Sequence, residues 1–185
     1  EIWISRDNAE HAGGLNGLKL FQWTQLITAE PLAEYPNYQS CQAGASGRWD
    51  YVHWQVIAPQ AGVEDYSRSC ALKIVIGSRD IYLFGDISLT QQQALLQKEQ
   101  ATSAYILLAP GQGAKNQHLA AMAQHLKPTF VVFSNSHRNR YNHPHPDATA
   151  AYRQVNSQIL ITAKDGAVRW EWSGPNAIPE ISTQW

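Results

Sequence analysis

The most constraining feature of this sequence is the alternation of short apolar runs with helix-like segments across its second half. The apolar runs are 80–84, 105–108 and 129–133, and the helix-like segments are 88–99, 117–126 and 148–156. Strands that alternate with helices predict a sheet with parallel strands and helices packed against it. Polar or glycine-containing loops follow the apolar runs. We therefore predict a layered α/β domain with its site on loops at one edge of the sheet.

Local signals define several elements more closely. Segments 70–76 and 80–84 flank a glycine-containing turn and predict a β-hairpin. Ser88 followed by Gln91 has the spacing of a capping box, which predicts a helix that begins there and runs to about Glu99.

The C-terminal part of the chain predicts a second hairpin. Its arms would be 158–162 and 167–172, joined across a turn that ends in glycine. Residues 173–185 are interpreted as a C-terminal tail, so the predicted domain covers residues 1–172. The stretch 61–67 is predicted to be a polar connection.

Composition limits the functional classes. The 185 residues suffice for one well-buried domain, and the net charge of -1 argues against a generally basic, nucleic-acid-coating surface. Any contact with phosphate must come from a local patch, for which 137–145 is the candidate. No run of about 18 apolar residues exists, so no segment is expected to span a bilayer. The chain opens on Glu1-Ile2-Trp3-Ile4-Ser5, which suggests the middle of a sheet and an excised domain.

The two cysteines leave alternatives open. Cys41 and Cys70 each follow a serine beside a strand-like segment. They could pair if these segments are neighbours, and a disulfide would imply an oxidising compartment. Two half-buried free thiols are the alternative.

Four polar loops could meet at one edge of the sheet: 6–14, 85–88, 110–116 and 137–147. The last is the richest, with three of the seven histidines, two arginines and two asparagines. Donor-rich loops at the ends of buried strands often carry chemistry on a rigid scaffold. The alternative is a solvated loop whose histidines only cap or fill.

Taken in order, these loops resemble the metallo-β-lactamase superfamily. Residues 5–15 are similar to the motif His-x-Asp-x-Asp-His-x-Gly-Gly, and 83–87 to a strand that ends in Thr-Gly-Asp. Residues 110–114 lie where Pro-His-His-Gly-Ser is expected. Residues 139–145 resemble the Asn-x-Tyr/Phe-Gly-His-Pro-His segment of the C-terminal domain of ComEC DNA-internalisation competence proteins. The resemblance covers residues 1–172 and implies an αββα sandwich in a single domain, lacking its opening strands.

Within this resemblance, most ligand positions of a binuclear zinc site are substituted. The substituted positions are Arg6, Asn8, Glu10, Gly111 and Gln112. His11 and Asp86 remain, whereas a zinc ion needs three or four protein ligands. We therefore expect no tightly held metal cofactor, with Glu10, His11 and Asp86 as vestigial ligands. Asp86 and His11 would be the vestigial catalytic residues.

Arg6 offers a replacement for the metal. Without a cation, Asp86 and Glu10 would be close like charges, which is costly. A guanidinium at a former ligand position could neutralise them. We predict that Arg6 fills the vacant region and pairs with Asp86 or Glu10. The alternative is that Arg6 points to solvent.

The resemblance also implies a setting. The parent protein would be an inner-membrane channel for transforming DNA, with this domain on the periplasmic side. The expected substrate-binding residues are Lys115, Arg138, Asn139, Arg140, His143 and His145. The expected partners are DNA, bound weakly and in a salt-sensitive way, and the remainder of the channel chain.

Three functional hypotheses follow. The first is a catalytically degenerate domain that contacts or guides DNA or supports the channel. The second is a metal-dependent nuclease that degrades the non-imported strand, with Zn²⁺ or Mn²⁺ as cofactor. The third is a protein–protein scaffold that uses exposed tryptophans such as Trp49, Trp54 and Trp172.

Overall fold

A computed structural model describes residues 1–32, 35–63, 68–98 and 103–185 of the chain. The strands are β1 (Ile2–Ile4), β2 (Leu26–Thr28), β3 (Gln39–Ser40), β4 (Ser46–Trp49), β5 (Val52–Ala58), β6 (Ala71–Ile76), β7 (Arg79–Leu83), β8 (Ile106–Leu108), β9 (Phe130–Phe133), β10 (Gln158–Ile161), β11 (Ala167–Glu171) and β12 (Glu180–Gln184). The helices are α1 (Ala9–Ala12), α2 (Leu89–Gln97), α3 (Leu119–Leu126), α4 (Pro146–Gln154) and α5 (Thr162–Asp165), and 3₁₀ segments cover Leu15–Leu20 and Pro110–Gly113.

The main sheet has seven strands in the order β10-β9-β8-β7-β6-β5-β4. The neighbours from β7 to β10 are parallel, and those from β4 to β7 are antiparallel. Helices α2, α3 and α4 connect the parallel strands, as the alternating pattern predicts. On the face that packs against these helices, Tyr82, Leu107 and Val131 are fully buried. The parallel strand ends therefore lie along one edge, where the site forms.

The opposite face of the main sheet is covered by two smaller sheets. One is the parallel sheet β1-β2-β3, whose Ile27 packs against Val56 and Leu72. The other is the antiparallel ribbon β11-β12, whose Trp170 packs against Phe130. This second layer gives the main sheet two buried faces.

A fourth layer lies outside the parallel three-stranded sheet. The 3₁₀ segment contributes Leu15, which packs with Ile4 of β1 and Leu26 of β2. Leu26 and Ile27 point to opposite faces because neighbouring residues of a strand alternate. The layers are thus helix, sheet, sheet and helix, which confirms the predicted αββα sandwich.

The first hairpin and the capped helix are confirmed. β6 and β7 pair antiparallel, and the Ser88 hydroxyl accepts a hydrogen bond from the Gln91 N–H at the start of α2. That helix ends at Gln97, and Glu99 lies outside the described residues, as does most of the predicted connection 61–67. No helix in the described ranges has the length and apolarity needed to cross a bilayer.

The predicted second hairpin is wrong. β10 joins the main sheet beside β9, and β11 pairs instead with β12, which lies within residues 173–185. The Asp165 carboxylate accepts a hydrogen bond from the Ile161 N–H at 2.6 Å, so the chain closes a helical turn rather than a β-turn. Gly166, at φ 76°, then redirects the chain, and a Cβ there would lie 2.0 Å from the Gln184 carbonyl oxygen.

Cys41 and Cys70 form a disulfide. It joins the residue after β3 to the residue before β6, and both cysteines are almost fully buried. The Cys70 N–H also donates a hydrogen bond to the Ser5 carbonyl at 2.8 Å, just after β1. The disulfide therefore fastens the small parallel sheet to the main sheet beside the strand ends that carry the site.

Candidate functional site

The four polar loops meet in one cleft of about 580 Å³ at the edge of the sheet. Each loop contributes side chains to its walls, among them Arg6, Glu10, Asp86, Gln112, Lys115, Arg140 and His143. Three of the loops converge because β7, β8 and β9 are parallel and their carboxyl ends share an edge, and loop 6–14 joins them from the end of β1 in the second sheet. The predicted meeting of the four loops at one edge is therefore confirmed.

Asp86 is the centre of the charged groups in this cleft. Its Oδ2 lies 3.1 Å from His11 Nε2 and 3.8 Å from Arg6 Nη1. The Asp86 and His11 side chains are 19% and 14% exposed, whereas that of Arg6 is 35% exposed. The predicted pairing of Arg6 with Asp86 is confirmed, and the shorter, more buried contact is the one with His11.

Two serines position the side chain of His11 and the backbone of Asp86. Ser5 Oγ lies 2.5 Å from His11 Nδ1, and Ser69 Oγ accepts a hydrogen bond from the Asp86 N–H at 3.1 Å. Since both imidazole nitrogens of His11 have partners, its ring orientation is fixed. Asn8 caps α1 by accepting a hydrogen bond from the His11 N–H at 2.9 Å.

The contact between His11 and Asp86 shifts the pKa of both groups. The hydrogen bond from His11 lowers the pKa of Asp86 below its ordinary value, against the effect of burial. The hydrogen bond to Asp86 raises the pKa of His11, again against burial. Both shifts favour the ion pair of imidazolium and carboxylate.

The donor set does not fit a zinc site. Of the three vestigial ligands, Glu10 is exposed and its carboxylate accepts a hydrogen bond from Gln112 Nε2 at 3.2 Å. Asp86 Oδ2 instead faces a guanidinium, which cannot ligate a cation. Within the ranges that the structure describes, no three His, Cys, Asp or Glu side chains are grouped as a metal site requires.

The loop 136–146, named here the histidine loop, is shaped by its own polar side chains. Asn139 Oδ1 accepts a hydrogen bond from the His143 N–H at 2.6 Å, and its Nδ2 donates to the His143 carbonyl at 2.8 Å. His145 caps α4, since its Nδ1 accepts a hydrogen bond from the Asp147 N–H at 3.1 Å. Neither Asn139 nor His145 lines the cleft, so both hold the loop in shape.

Three of the six predicted substrate-binding residues line the cleft. Lys115 forms an ion pair of 2.8 Å with Asp147. Arg140 lies over the ring of Tyr141, 4.6 Å from its centroid, and Tyr141 stacks on His143 at 5.5 Å. Arg138 is exposed and does not line the cleft. Substrate contact by any of the six remains a prediction.

No family model matches the chain. The fold is similar to that of a metallo hydrolase from the archaeon Ignicoccus hospitalis, with a TM-score of 0.55 and 14% identity over 99% of this chain and 78% of that one. The sequence is 26% identical over 173 residues to Recombination protein 2 of Haemophilus influenzae, and 21% identical over 173 residues to competence protein ComA of Neisseria gonorrhoeae. The chain is thus similar to competence proteins of the ComEC type and has a metallo-β-lactamase-like fold, and it is called here a ComEC-like domain.

A third relative is the uncharacterized protein YcaI of Escherichia coli, 25% identical over 168 residues. The three alignments cover 91%, 89% and 92% of the ComEC-like domain but 22%, 22% and 25% of the relatives. The chain thus spans about a quarter of the length of the relatives that it matches.

The sequence patterns do not identify the supporting hydroxyls of this ComEC-like domain. Ser5 is the first residue after β1, and Ser69 lies two residues before β6. Both serines lie next to the ends of strands that border the site. This position is the sequence signal from which they could have been predicted. Their partners could not be deduced, because the contacts from Ser5 to His11 and from Ser69 to Asp86 depend on how the two sheets pack.

The ion pair predicts a pH dependence of stability. A raised pKa for His11 means that its stabilising contribution is complete below its ordinary value of 6.5 and is lost as the pH rises through the folded-state pKa. A lowered pKa for Asp86 means that its contribution is present above 3.8 and is lost at lower pH. We expect the difference in unfolding free energy between wild type and His11→Gln to be largest between these values and to shrink above pH 6.5.

Urea denaturation at a series of pH values measures this difference. His53→Gln is the matched control, because His53 is exposed and lies outside the cleft. A His11→Gln difference that stays constant from about pH 5 to pH 8 would show that the ion pair contributes nothing.

Proposed function

We propose that this ComEC-like domain contacts single-stranded DNA as part of a membrane DNA-uptake protein and has little or no catalytic activity of its own. The observation that carries the proposal is the pairing of Arg6 and His11 with one carboxylate oxygen of Asp86. Two cationic donors there take the place that a metal would occupy in the fold family. Asp86 is then a structural anion rather than a ligand, and Glu10 and His11 are likewise not ligands.

The cleft above Asp86 suits a phosphodiester. Lys115, Arg140 and His143 line it. Lys115 pairs with Asp147, but both side chains are more than half exposed, and such a surface pair contributes little. The ammonium can therefore exchange the carboxylate for a phosphate at small cost. The exposed ring of Tyr141 adds an aromatic surface of the kind on which unpaired bases stack.

Two features support an extracytoplasmic position and a larger parent protein. The buried Cys41–Cys70 disulfide is typical of proteins in oxidising compartments, such as the bacterial periplasm. Competence protein ComA is among the relatives, and the chain corresponds to about a quarter of its length. We propose that the domain lies on the periplasmic face of the inner membrane and that its partners are DNA and the remainder of its own channel chain.

The first test is the metal content of the purified domain, before and after incubation with excess Zn²⁺ or Mn²⁺ and gel filtration. We expect almost no bound metal in either sample, because the two side chains that contact the Asp86 carboxylate, Arg6 and His11, are cationic and would repel a metal ion. Occupancy close to one or two ions per chain, with Mn²⁺-dependent nuclease activity that Asp86→Ala abolishes, would instead establish the nuclease.

The second test is binding of a fluorescent oligothymidylate of about four nucleotides. Two phosphate contacts, by Lys115 and Arg140, predict weak binding whose logarithm falls against the logarithm of salt concentration with a slope of about 1.4. Arg140→Gln should roughly halve the slope. Binding that does not change with salt would contradict phosphate contact, and no binding at all would favour a protein–protein scaffold.

A further inference from the structure

A second cavity lies on the other side of the histidine loop. It measures about 410 Å³ and is bounded by the histidine loop, α4 and the segment around α5. Its cationic side chains are Arg153 of α4 and Lys164 of α5, and His137 lies beside them. None of the described residues that line it carries a carboxylate. We name this cavity the α4–α5 groove.

Among the residues that the structure describes, both cations of this groove lack a counter-ion, whereas two of the three cations that line the cleft are paired. In the cleft, Arg6 pairs with Asp86, and Lys115 pairs with Asp147. Across the described part of the chain, Arg153 and Lys164 form no ion pair, and both are exposed. In a chain of net charge -1, such a local concentration of unpaired positive charge attracts anions.

The cleft and the groove share a wall. His143 lines both cavities, so the histidine loop forms a ridge between them. Tyr141, 52% exposed, stacks on His143 beside this ridge. Two cationic depressions on either side of an aromatic ridge match the pattern of a single strand whose phosphates lie in the depressions and whose bases contact the rings.

We propose that the α4–α5 groove is a second phosphodiester-binding site, and that one strand of DNA runs from the cleft over His143 into the groove. This inference rests on the proposed function and extends it to the path of the strand. Duplex DNA does not fit this path, because its persistence length of about 150 base pairs prevents it from bending around one loop.

The test compares oligothymidylates of about four and about 16 nucleotides, since the shorter one fills the cleft alone. The cleft supplies Lys115 and Arg140, and the groove adds Arg153 and Lys164. The salt slope of wild-type binding should therefore rise from about 1.4 for the short strand to about 2.8 for the long one. Arg153→Gln with Lys164→Gln should return the long-strand slope to about 1.4 and leave short-strand binding unchanged.

The matched control is Arg169→Gln with Lys127→Gln, which removes the same charges from positions that line neither cavity. If the groove double variant does not fold, Lys164→Gln alone tests the same contact with half the change in slope. A groove variant that binds the long strand like wild type would overturn the groove and leave the cleft intact. Loss of long-strand binding in the control, or equal slopes for duplex and single strand, would also overturn the path.

Failure of the proposed function gives a different result. If wild type binds neither oligonucleotide, the DNA-contact function and the groove fail together. If wild type binds only the long strand and the groove variant abolishes that binding, the cleft has no part in DNA contact, whereas the groove remains a phosphodiester site.

Discussion

Removal of the Cys41–Cys70 disulfide is expected to lower the free energy of unfolding by about 3 to 4 kcal/mol. The two cysteines are 29 residues apart, and a cross-link of that span removes much of the conformational freedom of the unfolded chain. The bond is also surrounded by apolar side chains, including Ile27, Val56 and Leu72. Reduction therefore weakens the junction between the two sheets as well.

Reduction of the disulfide should also make the site around Asp86 less rigid. The Cys70 N–H bonds to the Ser5 carbonyl, and the hydroxyl of the adjacent Ser69 accepts the hydrogen bond from the Asp86 N–H. A reduced protein should thus show faster hydrogen exchange at Asp86 as well as a lower urea midpoint.

The measurement is urea denaturation with and without a thiol reductant. In Cys41→Ala with Cys70→Ala, the reductant should have no effect, which controls for its action elsewhere. A loss smaller than about 1 kcal/mol in both the reduced wild type and the double alanine variant would show that the disulfide constrains little.

The sequence was sufficient where the deciding interactions are local or follow from a simple pattern. The apolar runs of β7, β8 and β9 are buried on both faces, so they stand out as strands of a covered parallel sheet. Ser88 is similar, because its cap bond reaches only to Gln91. From these strands, the meeting of the three loops that follow them at one edge can be predicted, whereas loop 6–14 reaches that edge from β1 in the other sheet.

Non-local pairing could not be predicted in the same way. β11 has alternating burial that suits a hairpin with β10, yet each residue of its partner β12 is exposed and β12 has no such pattern. Nothing in the spacing of 158–172 distinguishes pairing with one neighbour from pairing with the other. The local hydrogen bond of Asp165 decided against the tight turn.

The site likewise has a part that the sequence predicts and a part that it does not. The pairing of Arg6 with Asp86 or Glu10 was predictable from the family resemblance, which places Arg6 at a former ligand position, and from the cost of close carboxylates without a cation. The roles within the histidine loop were not. Asn139 and His145 have the same residue types as substrate-binding groups, but Asn139 bonds to His143 within the loop and His145 bonds to Asp147 in the first turn of α4. The motifs do not single out Arg153 and Lys164, the cations of the proposed groove site, because both lie outside the motif loops, on α4 and α5.

Asp86→Asn is expected to lower the free energy of unfolding by about 2 kcal/mol. The substitution removes a charge-assisted hydrogen bond from His11, whose value is typically about 1.5 to 3 kcal/mol. Arg6 adds less, because its side chain is 35% exposed and the contact of 3.8 Å is long. A double-mutant cycle should therefore give a larger coupling energy for Asp86 with His11 than for Asp86 with Arg6.

The sign of this change distinguishes the two views of the site. In a domain whose acidic groups await a metal, Asp86 would suffer repulsion in the metal-free protein, and its neutralisation would raise the unfolding free energy. In a site where Arg6 and His11 already supply the positive charge, neutralising Asp86 leaves these two cationic groups without their anion. The free energy of unfolding is then lowered. Asp50→Asn is the control, since Asp50 lies in an exposed turn after β4 and no change is expected there. A stabilised Asp86→Asn protein would overturn the view of Asp86 as a structural anion, and with it the main support for a domain that contacts DNA without cutting it.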